Sequence, residues 1–181
     1  MATTQLYVEL IIIGLESAIG LYFVLINILG ADKIKSLLTD LNTMPAIVIF
    51  VGIFYILGLI FDRFSDLVFQ RWENRLRKRS GLQAKSVMLL LLKTNQYDFL
   101  MFTRNRIRII RSTAINTIFI LITALIYILK NVQAHRVSLI MFSLLFGLFI
   151  FIICILSYKQ ITMNYYNKTR VIELDSMGKE N

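Results

Sequence analysis

Four long apolar runs constrain this chain more than any other feature of its sequence. They cover residues 6–29, 44–61, 113–129 and 137–158. Each approaches the ~20 residues that an α-helix needs to cross ~30 Å of hydrocarbon. Because 57% of the 181 residues are hydrophobic and the mean hydropathy is +0.68, a water-soluble domain could not bury them all. The sequence predicts an all-α, polytopic membrane protein of four spanning helices in one domain, residues 1–181.

The distribution of positive charge predicts the orientation of these spans. Of the 20 Lys and Arg residues, twelve lie in segment 62–112 and four in segment 159–181. The two short loops between the other spans hold the remaining four, which are Lys33, Lys35, Lys130 and Arg136. Cytoplasmic loops of membrane proteins carry the excess of Lys and Arg. We therefore expect both termini, the helical segment 62–112 and the tail 159–181 to be cytoplasmic.

Apolar periodicity predicts that the second and third spans continue beyond the membrane. Residues such as Leu57, Phe64, Trp72 and Leu76 extend a helical apolar stripe to about Arg79, and Gly81 follows as a candidate C-cap. A second helix is predicted to run from about residue 97 into the third span. The two extensions, each ~25 Å long at 1.5 Å per residue, predict an antiparallel cytoplasmic hairpin. The intervening "AKSVMLLLLK" predicts a short apolar helix, too short to span.

The predicted hairpin is strongly basic, since only four acids accompany its twelve positive charges. Topology and anionic lipid headgroups explain the residues near the membrane, such as Arg63, Arg108 and Arg111. They explain Arg75, Arg77, Lys78 and Arg79 less well, because charges ~20 Å from the membrane lie beyond the ~8 Å Debye length at physiological salt. The excess of Arg over Lys, nine to three, favours phosphate or nucleotide recognition. The candidate ligand-binding residues are Arg71, Arg75, Lys78, Arg79, Arg104, Arg108 and Arg111, with Trp72 as a base-stacking or a packing residue.

Polar residues inside the apolar runs form a second candidate set. Glu9 and Glu16 are two helical turns apart in the first run, followed by Asn27, and Asn116 lies in the third run. Intramembrane carboxylates are expensive and usually face a bundle interior or a water-filled path. Glu16 is therefore expected either to be hydrogen-bonded to Asn116, Thr117 or Thr123, or to line a pore that attracts cations.

Catalytic machinery is not visible in the sequence. His135, the one histidine, lies in a short loop without a second metal-ligating partner, and no Ser/His/Asp grouping or Gly-rich phosphate loop is present. We therefore expect a protein that is not an enzyme and needs no metal or cofactor.

The four short spans and the Arg-rich segments "RWENRLRKR" and "RNRIRIIR" resemble the small membrane effectors of bacterial anti-phage systems, such as the Hailong channel effectors. This resemblance implies a homo-oligomeric pore in the bacterial inner membrane, controlled by a nucleotide or oligonucleotide from a nucleotide-synthesising partner enzyme. The small multidrug transporters are also similar, with four spans and a glutamate in the first; Glu16 would then bind protons and cationic drugs. A third alternative is an accessory subunit that binds anionic lipid or a partner protein.

Overall fold

The computed structural model describes residues 2–40, 44–81 and 97–178, and the described chain is built of α-helices. The five helices are α1 (Ala2–Leu29), α2 (Ala31–Asp40), α3 (Met44–Ser80), α4 (Tyr97–Asn131) and α5 (Arg136–Gly178). All except α2 are long and apolar enough to cross a membrane. The predictions of an all-α fold and of four helices that could span a membrane are therefore confirmed. Helix α2, of 10 residues, occupies part of what the sequence analysis treated as a loop.

Glycines in the left-handed conformation end two of the helices. Gly30 has φ = 89° and donates its N–H to the Ile26 carbonyl at 3.0 Å, which closes α1. Gly81 has φ = 70° and donates its N–H to the Lys78 carbonyl at 3.3 Å, directly after α3. Glycine adopts positive φ without the steric penalty of a Cβ atom. The predicted C-cap at Gly81 is confirmed, whereas the predicted short helix over 84–93 lies outside the described residues.

Helix α1 packs against both α3 and α4. Its contact with α3 is made by backbone: a Cβ atom on Gly14 would lie 1.7 Å from the Phe54 carbonyl oxygen, and one on Gly58 would lie 1.9 Å from the Leu10 carbonyl oxygen. Small residues at such crossings let two helices approach closely in a membrane. Gly14 and Gly58 therefore set the distance between α1 and α3.

The apolar surface of the bundle is largely uncovered within the chain. Val48 on α3 is 73% exposed and Phe142 on α5 is 67% exposed, and most of their apolar neighbours are exposed as well. So much apolar surface is incompatible with contact with water. It fits contact with lipid tails.

Helices α3, α4 and α5 all continue past the expected ends of the apolar runs. We call the region formed by residues 62–80 of α3, 97–112 of α4 and 159–178 of α5 the basic end. It is held by a buried cluster that includes Phe69, Leu76, Ile107, Tyr158 and Tyr166, with the rings of Phe69 and Tyr158 4.8 Å apart. The sequence analysis assigned residues 159–181 only to a tail. In the structure, α5 continues to Gly178 and packs on α3 and α4, so three helices meet at this end. The cytoplasmic hairpin stays a prediction.

Candidate functional site

Acidic residues on α3 meet arginines on α4 where the basic end begins. Asp62, Asp66 and Glu73 lie on one face of α3, at spacings of i, i+4 and i+11. Arg108 places Nη2 2.8 Å from Asp62 Oδ2. Arg111 places Nη2 3.5 Å from Asp62 Oδ1, contacts Asp66 Oδ1 with the same nitrogen, and places Nη1 3.8 Å from Glu73 Oε2. We call these five residues the α3–α4 ion-pair cluster.

The centre of this cluster is buried. Arg111 is 4% exposed and Asp62 is 5% exposed. Buried charges are tolerated only when pairing and hydrogen bonding replace the lost water. Arg111 meets this condition, because its Nε also donates to Ser65 Oγ at 3.3 Å. The Tyr166 hydroxyl donates to Glu73 Oε1 at 3.0 Å and so joins α5 to the cluster.

Arg108 and Arg111 were predicted to bind an external anion together with the outer arginines. In the structure Arg111 is enclosed by carboxylates, and Arg108 directs Nε and Nη2 at Asp62. The number of acids in this segment was read from the sequence, but the convergence of three of them on these two arginines was not predicted. In the described contacts Arg108 and Arg111 join α4 to α3.

The outer basic residues of α3 lie on a different face. Arg71, Arg75, Lys78 and Arg79 are exposed, and their spacing of i, i+4, i+7 and i+8 places them opposite Asp62, Asp66 and Glu73. None of the four forms an ion pair with an acid whose side chain is described. Arg104 is exposed too, but it shares the α4 face of Arg108 and Arg111. The predicted ligand-binding cations therefore lie on two separate faces, one on α3 and one on α4. The α3 face holds four exposed cations.

Trp72 occupies a packing position in the structure. Its ring is half-buried, with the Phe69 ring 5.8 Å away and nearly parallel at 17°, and with the Tyr158 ring 5.5 Å away. Both neighbours belong to the buried cluster of the basic end. This arrangement corresponds to the packing alternative, and stacking of Trp72 on a base stays a prediction.

Glu16 is held between α1 and α4. The Thr113 hydroxyl donates to Glu16 Oε1 at 3.0 Å, and the Asn116 side-chain amide donates to Glu16 Oε2 at 3.1 Å. Asn116 is 1% exposed; its amide also donates to the Ile13 carbonyl at 3.0 Å, and its oxygen accepts from the Ser17 hydroxyl at 3.0 Å. Asn116 is therefore the expected partner of Glu16, while Thr113 is a partner that the sequence analysis did not name.

The remaining intramembrane polar residues follow the same interface. The Asn27 amide donates to the Thr123 carbonyl at 3.3 Å, whereas the Thr117 and Thr123 hydroxyls donate to carbonyls of their own helix. Glu9 is 5% exposed. Glu16, Asn27 and Asn116 thus form hydrogen bonds between α1 and α4 of one chain, and a role of these residues and Glu9 in lining a pore stays a prediction.

Sequence reasoning missed the α3–α4 ion-pair cluster, although a signal for it exists. Asp62 and Asp66 lie at i, i+4, and Arg108 and Arg111 lie at i, i+3, near the facing ends of two helices predicted to be antiparallel. In an antiparallel pair of helices, this spacing brings the two acids opposite the two arginines.

Potential metal ligands do not cluster in the described part of the chain. Within residues 2–40, 44–81 and 97–178, no group of three or more His, Cys, Asp or Glu side chains is placed to hold a metal ion. Comparison of the chain with protein-family models, curated proteins and solved structures finds no match.

Proposed function

We propose that this protein is a homo-oligomeric membrane channel whose opening is controlled by a nucleotide or short oligonucleotide bound at Arg71, Arg75, Lys78 and Arg79. The observation that carries the proposal is the exposed basic face of α3, on a helix that runs without a break into a candidate span. A helix of 37 residues is ~55 Å long, well beyond the thickness of the hydrocarbon layer.

Charge supports an anionic ligand at this face. The α3 acids Asp62, Asp66 and Glu73 are directed at Arg108 and Arg111, so they do not offset the four cations on the opposite side. Guanidinium groups bind phosphate oxygens through two parallel hydrogen bonds. Arg71, Arg75, Lys78 and Arg79 extend ~12 Å along the helix, which suits a ligand with several phosphates better than a single small anion.

The contacts of α3 supply a route from ligand to membrane. The α3–α4 ion-pair cluster joins α3 to α4 below the proposed ligand site, and Gly14 and Gly58 join α3 to α1 within the apolar region. A displacement of the basic end would therefore move three candidate spans together, as in shear transitions between packed helices. Four helices of a single chain supply too little wall to enclose an aqueous path, so the proposed pore forms between copies of the chain.

The cellular setting of the proposal comes from the resemblance to anti-phage effectors. The protein would lie in the bacterial inner membrane with both termini cytoplasmic, and a partner enzyme would synthesise its ligand after infection. Opening of the pore would then depolarise the membrane and halt the infected cell.

The ligand site is tested by binding of a fluorescent, mixed-sequence hexanucleotide to the purified protein. Replacing Arg75 and Arg79 together by Ala should weaken binding at least tenfold. It should also reduce the slope of log K against log salt by about 1.4, since each phosphate contact to a single strand contributes about 0.7. Arg106→Ala is the matched control, because Arg106 is exposed and lies on α4. Equal weakening by the control would show only general attraction to a basic surface, and the proposed site would be wrong.

A proton-coupled transporter is the second candidate, and the position of Glu16 favours it. The carboxyl group is half-buried and accepts hydrogen bonds from Thr113 and Asn116, an arrangement that can hold or release a proton. Glu16→Gln should abolish proton-driven efflux of a cationic dye if the protein is a transporter. In a channel, the same variant should keep ligand-dependent current in a planar bilayer and alter only its size or ion preference. If the unmodified protein produced neither current nor efflux, the result would favour an accessory subunit.

A further inference from the structure

An open apolar groove of about 580 Å³ lies between α3 and α4. Its lining residues include Ile60, Phe64 and Val68 on α3 and Ile115, Ile118 and Ile122 on α4. The rings of Phe61 and Phe119, with centroids 5.4 Å apart, line it as well. Phe64, Val68 and Ile122 are each at least half exposed, so the groove is open at the side of the bundle.

The groove leads to positive charge at one end. On α3, Phe64 and Val68 are followed on the same face by Arg71 and Arg75, at i, i+4, i+7 and i+11. Arg71 is exposed and lies ~4.5 Å along the helix from Val68. The carboxyl group of Asp62 is turned towards α4, where it meets Arg108 at 2.8 Å. The α3 side of the groove, about 12 Å long from Ile60 to Val68, is thus followed on the same face of the helix by an exposed arginine.

We infer that this groove binds one anionic phospholipid, with an acyl chain along the apolar lining and the phosphate at Arg71. A free phosphate compound would gain nothing from eight apolar lining residues. A helix of a second copy, about 10 Å across, would cover the groove rather than enter it. An acyl chain is narrow enough to enter, and a phosphate on the same molecule complements the charge of Arg71. The bound lipid would fill the space between α3 and α4, two helices that the proposed channel must move.

Native mass spectrometry of the purified, full-length protein tests this inference. The protein is incubated with equal amounts of phosphatidylglycerol and phosphatidylcholine that carry identical acyl chains, and the lipids retained per chain are counted. We expect one retained phosphatidylglycerol per chain, with at least a fivefold preference over phosphatidylcholine. Ile118→Trp, which fills the groove, should reduce retention of both lipids at least fivefold, whereas Ile152→Trp on the exposed face of α5 should leave it unchanged.

The charge is tested separately, with a variant that touches no buried residue. Arg71→Gln should reduce the preference for phosphatidylglycerol to less than twofold, and the matched Arg106→Gln should not. Glycerol phosphate, which has the headgroup charge but no acyl chain, should not displace the lipid. Arg71 belongs to both proposed sites, but this experiment uses neither the hexanucleotide nor Arg75 and Arg79. Its failure is therefore distinct from failure of the proposed ligand site.

Three results would overturn the inference. The first is equal retention of the two lipids by the unmodified protein. The second is displacement of the lipid by glycerol phosphate, which would identify a site for soluble anions. The third is a change in the number of associated chains in Ile118→Trp without a change in lipid retention, which would identify the groove as an interface between copies.

Discussion

Arg111 is a buried arginine of the basic end that pairs with several acids. Its guanidinium group meets Asp62, Asp66 and Glu73 while it is 4% exposed. A buried ion pair adds little net stability over an apolar pair of the same shape, but removing one partner leaves the other charge buried and unpaired. The main effect of the cluster on the free energy of unfolding is therefore expected when one of its members is removed.

We expect Arg111→Gln to lower the free energy of unfolding by about 3–5 kcal/mol, because the Asp62 carboxylate would lose a buried cationic partner. Unfolding in detergent by heat or denaturant measures the change. Arg106→Gln is the control, since Arg106 is exposed, and should change stability by less than about 0.5 kcal/mol. If the two variants were equally stable, the buried cluster would not hold α3 to α4.

At the scale of elements, the crossing of α1 and α3 depends on two glycines. Gly14 faces the Phe54 carbonyl and Gly58 faces the Leu10 carbonyl, so each helix presents a glycine to the backbone of the other. Neither backbone can move aside as a flexible side chain could. Any added Cβ atom must therefore separate the helices, with loss of the contacts around Leu10 and Ile13, which are 2% and 0% exposed.

Gly14→Ala and Gly58→Ala should each destabilise the protein by about 1–3 kcal/mol or more, as overpacking does in well-packed interiors. Gly52→Ala provides a matched control on α3, because no atom lies within 4 Å of the Cβ position there. This control should be neutral or stabilise α3 by about 0.5–1 kcal/mol, since alanine favours helix more than glycine does. Detergent unfolding of the three variants measures the difference; tolerance of alanine at Gly14 and Gly58 alike would contradict the close crossing.

At the scale of the whole molecule, charge and apolar surface are separated along the bundle. The chain carries a net charge of +9, and its basic residues are concentrated at the basic end, while the sides of α3 and α5 are apolar and exposed. Positive charge on one side of a set of spans determines orientation during insertion. In the predicted orientation, the proposed ligand face would lie on the cytoplasmic side.

We expect a cysteine introduced by Arg79→Cys to react with a membrane-impermeant maleimide only from the cytoplasmic side of oriented vesicles. Cys154 is the single native cysteine and is replaced by Ser in this experiment. A cysteine at Gln133, between α4 and α5, should react only from the opposite side. Labelling of both positions from one side would refute the predicted orientation and, with it, the cytoplasmic ligand site.

The sequence by itself determined the helical class, the four candidate spans and the end of α3 at Gly81. These features depend on hydropathy, periodicity and the conformational freedom of glycine, which are properties of short stretches of chain. The sequence also located the basic segment and named Asn116 as a candidate partner of Glu16. The spacing of Asp62 and Asp66 and that of Arg108 and Arg111 indicate facing charges, but a count of charges alone carries no information about which sides of two helices face each other.

Only the tertiary structure decided that Arg108 and Arg111 pair with Asp62, Asp66 and Glu73 of α3, while Arg71, Arg75, Lys78 and Arg79 stay exposed. It also decided that α5 joins α3 and α4 at the basic end, through Tyr158 and Tyr166. The physical reason is that one rotation of α3 about its axis, imposed by the Gly14 and Gly58 crossing and by aromatic packing, assigns every side chain of that helix to a neighbour or to the surroundings. That rotation arises from contacts between distant segments, which no short stretch of sequence contains.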